Sequence, residues 1–234
     1  MALSQLMEID VIIPAYNEAR SIGHVISEIP STVSEIIVVN NNSTDNTASV
    51  AEAAGATVLF EENMGYGYAC LKGIKYLQNR SKPPGIVVFM DGDYSDYPED
   101  LHKVVKPILD GEVDFVIGAR SKALQEKGSM TPQQRFGNGL ATFLMRLFFR
   151  SDFTDLGPFR AIRYEQLMAL NMEDKTYGWT VEMQLKVLKN KIAYTEVPVR
   201  YKKRIGISKV SGTVKGTIFA GIKILTWIFK YSLK

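Results

Sequence analysis

The chain has 234 residues, of which 46% are hydrophobic, and a formal net charge of +3 from 28 Lys and Arg and 25 Asp and Glu. This is ample for one packed domain that folds unaided. A single cysteine, Cys70, excludes an internal disulfide framework and suits a reducing cytosol. The N-terminal segment has acidic residues where a signal peptide would continue its apolar run, so we expect no secretory leader and a cytoplasmic protein.

Five short apolar, β-branched runs occupy the first half of the chain, with helix-like stretches such as residues 44–54 and 67–78 between them. The runs are residues 9–14, 35–40, 56–61, 85–90 and 113–118. This alternation predicts an α/β fold with a Rossmann-like, mainly parallel sheet and helices on both faces. Ser43 or Thr44 is expected to cap one helix, and Pro98 to begin another.

A polar or glycine-rich segment follows each predicted strand. The segments are residues 14–19, 40–47, 62–67, 91–96 and 118–121. Ligands of open α/β sheets lie at the carboxyl ends of the strands, where such connecting segments meet. These five segments are therefore predicted to form the rim of a binding site.

The chain ends in a predicted amphipathic helix within residues 213–234, which follow a main domain of residues 1–212. Lys215, Lys223 and Lys230 interrupt its apolar sequence, so no charge-free run reaches the roughly 20 residues that span a bilayer. At 100° per residue these lysines fall within about 80° of one another. A helix on a membrane surface and a helix packed on the core both fit this pattern.

The charge is unevenly distributed along the chain. Residues 197–234 hold nine of the 28 Lys and Arg and no Asp or Glu, whereas the first 196 residues carry 19 basic and 25 acidic groups. A basic end on an acidic body indicates either an anionic ligand or surface nearby, or a solvated basic face, and charge alone leaves both open. We expect no nucleic-acid partner, and the oligomeric state is left open.

Asp91, Gly92 and Asp93 directly follow the apolar run 85–90. Mg²⁺ or Mn²⁺ takes hard oxygen ligands, usually one or two carboxylates, with substrate phosphate and water completing the shell. Gly92 permits a tight turn that brings both carboxylates to one point. Acidic turns also precede many helices, where they favour the helix dipole, so this motif alone leaves a structural role open.

The ordered motifs PAYNEA, NNNSTDNT, DGD, GARS, GPFRA, GWTVE and RIGISK resemble the family 2 glycosyltransferases of the GT-A fold. Within that family they are most similar to the branch of dolichyl-phosphate mannose synthase and related polyprenyl-phosphate glycosyltransferases. The resemblance covers residues 8–212. It implies an inverting transfer of a hexose from a UDP- or GDP-sugar, dependent on Mg²⁺ or Mn²⁺ held by Asp91 and Asp93. The resemblance also implies a polyprenyl monophosphate as the acceptor, and with it a peripheral position on the cytoplasmic face of a membrane.

The same resemblance assigns the remaining site residues. The nucleotide-sugar would contact Pro14, Tyr16, Glu18, Asn40, Asp45 and Asp91, under a basic loop with Arg204, Ser208 and Lys209. Asn40 replaces an Asp that contacts the base or ribose in the family, which leaves the base preference open. Beside Asp93, the residues implied in catalysis or acceptor binding are Arg120, Asp155, Arg160, Trp179 and Glu182.

Three alternatives remain at this point. Glu182 stands where relatives with a hydroxyl acceptor carry a catalytic base, so the acceptor is a lipid phosphate or a sugar or glycolipid hydroxyl. A sugar-phosphate nucleotidyltransferase would carry a Gly-Thr-Arg loop where residues 14–19 stand. A non-catalytic nucleotide-sugar-binding module would tolerate the loss of Asp93, Arg204 or Lys209, which are all present.

Overall fold

The computed structural model describes residues 7–206 and 214–232, with the side chains of residues 219–232 in the last helix. Within these residues, seven strands form one sheet. They are β1 (Ile9–Ala15), β2 (Glu35–Asn40), β3 (Thr57–Phe60), β4 (Ile86–Phe89), β5 (Phe115–Gln125), β6 (Arg160–Arg163) and β7 (Tyr194–Tyr201). The α-helices are α1 (Ile22–Glu28), α2 (Thr47–Ala53), α3 (Tyr66–Gln78), α4 (Leu101–Leu109), α5 (Pro132–Phe149), α6 (Tyr164–Leu170), α7 (Trp179–Lys189) and α8 (Val214–Ser232).

The strands lie in the order β3-β2-β1-β4-β6-β5-β7. Every neighbouring pair is parallel except the two that involve β6, which runs antiparallel to β4 and to β5. The predicted mainly parallel sheet is thereby confirmed. Because β1, β2, β4 and β5 point the same way, the segments that follow them meet at one edge of the sheet.

Helices cover both faces of the sheet, as the sequence predicted. Along β1, Ile12 belongs to one hydrophobic cluster, whereas Val11 and Ile13 belong to the other, because side chains alternate between the faces of a strand. The first cluster includes residues of α3, α5, α7 and α8, and the second includes residues of α1, α2 and α4. All seven residues of β1 are buried, as expected for a strand covered twice.

The helix starts agree with the sequence in part. Pro98 begins a 3₁₀ turn, residues 98–100, that leads into α4. The predicted cap at Ser43 or Thr44 is wrong, because α2 begins at Thr47. The Asp45 carboxylate accepts a hydrogen bond from the Thr47 backbone N–H, while the Ser43 hydroxyl accepts one from the Asn17 backbone N–H.

Helix α8 is amphipathic and packs on α5 and α7. Trp227 and Ile228 are buried against the core, and the Trp227 indole N–H donates a hydrogen bond of 2.6 Å to the Asp174 carboxylate. The opposite face of α8 is exposed at Phe219 and Ile222. Among the described residues, no helix combines the length and the hydrophobicity needed to cross a membrane.

Candidate active site

A pocket of about 350 Å³ opens where β1, β2 and β4 end, and we call it the inner pocket. Several predicted site residues line it: Pro14, Tyr16, Glu18, Asp91, Asp93 and Arg204. The first three follow or end β1, and the two aspartates follow β4. Strand direction alone therefore brings together motifs that are about 75 residues apart in the sequence.

Asp91 and Asp93 concentrate negative charge at the floor of this pocket. Asp91 Oδ1 is buried, and no described residue donates a hydrogen bond to it. Burial, together with the nearby Asp93 charge, raises the pKa of Asp91 to about 7. Asp93 Oδ1 accepts a 2.8 Å hydrogen bond from the Ser95 backbone N–H. Two adjacent carboxylates with an unused oxygen make a site that favours a cation.

Arg204 joins the two acidic walls of the inner pocket. Its Nη1 lies 3.1 Å from Asp93 Oδ2, and its Nη2 lies 3.0 Å from Glu18 Oε1. Arg204 is therefore a cationic donor at the place where the two predicted binding motifs meet. The other two predicted residues of its loop, Ser208 and Lys209, lie outside the described residues.

The opposite wall of the inner pocket includes Tyr66, from the predicted rim segment 62–67, and two residues that the sequence did not single out, Thr176 and Tyr177. The loop that carries Thr176 presses closely on the start of α3, where a Cβ on Gly67 would lie 2.0 Å from the Asp174 carbonyl oxygen. Glycine is therefore required at that close approach. The glycines of the segment ENMGYG were the available signal for this contact.

Asn40 and Asp45 do not line the inner pocket, contrary to the assignment by resemblance. The Asn40 side chain accepts a hydrogen bond from the Ser43 backbone N–H, and Asp45 accepts hydrogen bonds from backbone N–H groups at Ala19 and Thr47. Asn41 lines the pocket instead. Successive side chains point to opposite sides at the end of a strand, so a shift of one residue exchanges the two asparagines.

A second pocket of about 340 Å³, the outer pocket, adjoins the first. The two pockets share Tyr66, Asp91, Asp93, Thr176, Tyr177 and Arg204. Two further predicted site residues line the outer pocket: Trp179, which is 1% exposed, and Arg120. Arg120 is held by Asp155 through two side-chain hydrogen bonds of 2.8 and 2.5 Å. Asp155 thus lies behind the pocket wall and orients Arg120.

The structure places Arg160, a predicted catalytic residue, in the core and outside both pockets. The side chain is 0% exposed, and its guanidinium donates hydrogen bonds to the carbonyl oxygens of Thr180, Leu156 and Gly157. Burial lowers the pKa of Arg160 to about 10. Arg160 therefore ties the segment before β6 to α7.

Glu182, the candidate catalytic base, likewise lies in the core. It is 0% exposed and lines neither pocket. Its carboxylate accepts 2.8 Å hydrogen bonds from the backbone N–H groups of Glu173 and Asp174, and it lies 2.8 Å from Lys186 Nζ. Through these contacts Glu182 supports the loop that precedes α7.

The fold is that of GT-A glycosyltransferases. A solved structure of Mycobacterium tuberculosis glucosyl-3-phosphoglycerate synthase, in complex with Mn²⁺, uridine diphosphate and phosphoglyceric acid, matches it with a TM-score of 0.78. The match covers 97% of this chain and 78% of that chain at 22% sequence identity. An identity this low supports the shared fold alone.

Sequence comparison defines the family. Residues 10–170 match the model of glycosyl transferase family 2. An uncharacterized glycosyltransferase of Mycobacterium tuberculosis is 34% identical over 214 residues, which cover 91% of this chain and 94% of that protein. Undecaprenyl-phosphate mannosyltransferase of Micrococcus luteus is 27% identical over 234 residues, 94% of each chain. The chain belongs to glycosyltransferase family 2.

Proposed function

We propose that this glycosyltransferase transfers a hexose, with inversion, from a UDP- or GDP-sugar to a polyprenyl monophosphate, with the help of Mg²⁺ or Mn²⁺. The observation that carries the proposal is the pair Asp91 and Asp93, which lies at the junction of two adjoining pockets. One pocket accommodates the nucleotide and the other the acceptor. A lipid acceptor places the reaction at a membrane, which we take to be its cytoplasmic face.

The donor set fits a hard divalent cation. Asp91 offers a buried oxygen without a partner, and Asp93 lies beside it. Within residues 7–206 and 214–232, no cluster of three or more acidic, His or Cys side chains is arranged to hold a metal. Two carboxylates leave coordination positions for diphosphate and water, as Mg²⁺ sites with phosphate substrates require. When bound, the ion would offset negative charge on the departing diphosphate.

The chain's own residues supply the other interactions with the donor. The Arg204 guanidinium, 3.1 Å from Asp93, is within reach of a diphosphate held at the same carboxylates. Ser208 and Lys209 are proposed to join it from the same loop. Tyr16 and Asn41 line the inner pocket on the side where the nucleoside would lie. These contacts leave the anomeric carbon facing the outer pocket, which suits in-line attack and inversion.

The outer pocket favours a phosphate acceptor, because its described residues leave no carboxylate to act as a base. Of the described residues that line it, only Asp91 and Asp93 carry carboxylates, and both are assigned to the metal. A hydroxyl acceptor needs a base to take its proton, whereas a phosphate oxygen is already ionised near neutral pH. Arg120 offers a cation on the same wall. Relatives named for undecaprenyl-phosphate and dolichyl-phosphate transfer support this assignment.

A transfer assay tests the proposal. The full chain is incubated with radiolabelled UDP- and GDP-sugars and Mn²⁺, with either a short-chain prenyl phosphate or a free saccharide as acceptor. We expect label in a prenyl-phosphate sugar with one donor, and no product with Asp93→Asn. Transfer to the saccharide alone would replace the acceptor. Formation of pyrophosphate, or binding without turnover, would indicate a nucleotidyltransferase or a binding module.

A further inference from the structure

Helix α5 carries an apolar stripe on the side that faces away from the core. At 100° per residue its members fall within about 60° of one another, opposite the buried Met145. They are Phe136 (73% exposed), Leu140 (37%), Phe143 (60%) and Leu147 (62%). Single exposed apolar residues are common, but four that align along one helix form a patch that signals an interaction surface.

Helix α8 extends this patch sideways. Phe219, Ile222 and Phe229 are 59%, 56% and 46% exposed on the face of α8 opposite the core. The rings of Phe148 on α5 and Phe229 on α8 are in edge contact, with centroids 5.7 Å apart. The exposed apolar side chains of the two helices therefore form one continuous surface, which we call the α5–α8 face.

The charged side chains that the two helices carry are of one sign. Neither helix contains Asp or Glu. Arg135, Arg146 and Arg150 are exposed on or just after α5, on one flank of its stripe. On α8, Lys223 lies 3.2 Å from Asp174 and Lys230 lies 4.0 Å from Glu173. Among the described side chains of the two helices, the arginines therefore supply most of the positive charge that no carboxylate pairs with.

This charge pattern favours a lipid surface over a second copy of the chain. In a twofold-symmetric dimer built on this face, the arginine flank would meet a face that offers no carboxylate on either helix. An anionic bilayer supplies both a hydrocarbon layer for the phenylalanines and negative headgroups for the arginines.

The α5–α8 face is continuous with the active site. A groove of about 450 Å³ runs between the two helices and is lined largely by apolar residues such as Phe136, Leu140 and Leu225. It shares Gln133, Gly137, Gly221 and Ile224 with the outer pocket. A surface docked through these helices would lie beside the pocket assigned to the acceptor.

We propose that the α5–α8 face docks on an anionic bilayer and that the groove admits the hydrocarbon chain of the acceptor lipid to the outer pocket. The admission of the lipid chain rests on the proposed function, whereas docking does not. The sequence predicted membrane contact for the C-terminal helix alone. The proposed surface comprises that helix and α5.

Docking is measured by sedimentation of the full chain with vesicles of phosphatidylcholine and phosphatidylglycerol, at low and high salt. We expect Phe143→Ser to lower the vesicle partition coefficient by about tenfold, because a large aromatic side chain is no longer buried in the bilayer. Phe60→Ser is the matched control, since Phe60 is 57% exposed at the end of β3. Equal partition of wild type and Phe143→Ser would overturn the docking proposal.

The charge requirement has its own test. Arg135→Gln with Arg146→Gln should weaken partition by about fivefold per charge at low salt, and high salt should remove the difference from wild type. Lys72→Gln with Lys75→Gln on exposed positions of α3 removes the same charge elsewhere and should have little effect. Equal losses in both double variants would show non-specific attraction and overturn the proposal.

The two proposals fail in different ways. If short-chain prenyl phosphate is glycosylated but the protein does not bind vesicles, the docking surface is wrong and the proposed function stands. If vesicles bind through Phe143 but no prenyl phosphate is glycosylated, docking stands and the groove loses its assigned occupant. If Phe143→Ser instead dissociates a dimer and leaves vesicle partition unchanged, the α5–α8 face is a self-association surface.

Discussion

Glu182, in the first turn of α7, interacts with three groups through one buried carboxylate. Two backbone N–H groups of the preceding loop donate to it, Lys186 neutralises it, and Lys186 in turn donates to the carbonyl oxygen of Asn171. Both oxygens of this carboxylate are engaged by the loop and by Lys186, and Glu182 lines neither pocket. At the residue scale, its contribution to activity is indirect, through the position of the loop.

Glu182→Gln should therefore lower stability more than catalysis. We expect the free energy of unfolding to fall by about 3 to 5 kcal/mol, because Lys186 is left buried and without its carboxylate. The decrease in kcat per folded molecule should be far smaller than the roughly hundredfold decrease that removal of a general base typically causes. Urea unfolding and kcat at low temperature measure the two effects. Glu165→Gln, which changes an exposed acid in the first turn of α6, is the control. A Glu182→Gln variant that is stable but inactive would support Glu182 as the catalytic base.

The sequence predicted some of these residues and not others for a physical reason. Asp91 and Asp93 could be proposed because two acids that directly follow a buried strand stand in the order of the family motifs. The sequence could not place Asn40 relative to the pocket, because the resemblance fixes a motif but not which way each side chain points at the strand end. It could not place Arg160 either, because Arg160 begins β6, an antiparallel strand that the apolar pattern did not reveal.

At the scale of elements, α8 is connected to the pocket wall through Asp174. One oxygen of this buried carboxylate accepts hydrogen bonds from the backbone N–H groups of Thr176 and Gly178, at 2.7 and 3.0 Å. The other accepts from the Trp227 indole on α8. A Cβ on Gly178 would lie 2.4 Å from the Trp227 ring, so the loop and the helix are in close contact. The helix thus fixes the loop that presents Thr176 to both pockets.

Trp227→Phe should weaken both the fold and donor binding. Loss of a hydrogen bond to a charged group costs about 1.5 to 3 kcal/mol of stability. We also expect a several-fold rise in the donor KM with a smaller change in kcat, because the 174–178 loop loses one of its restraints. Tyr231→Phe, which leaves the Asp174 contact intact, is the control. A donor KM equal to that of wild type would reduce the role of α8 to core packing.

At the scale of the whole molecule, the topology explains why the cleft has two adjoining pockets. The parallel strands β1, β2 and β4 bring residues of the inner pocket to one edge, and the reversed β6 separates them from β5, which carries Arg120. The acidic turn after β4 lies between these halves and borders both pockets. The apolar runs predicted β1 to β5, whereas β6 has only two apolar residues, which stand between Arg160 and Arg163, and gives no clear pattern.

The central claim is that Asp91 and Asp93 hold a divalent cation that binds the donor's diphosphate. Titration calorimetry of UDP and GDP into the full chain, with Mn²⁺ or with EDTA, tests it most directly. We expect one nucleotide to bind in Mn²⁺ and EDTA to abolish the heat of binding, and we expect Asp93→Asn to give no binding while its thermal unfolding remains cooperative. Nucleotide affinity that is the same in EDTA and Mn²⁺, and unchanged by Asp93→Asn, would contradict it.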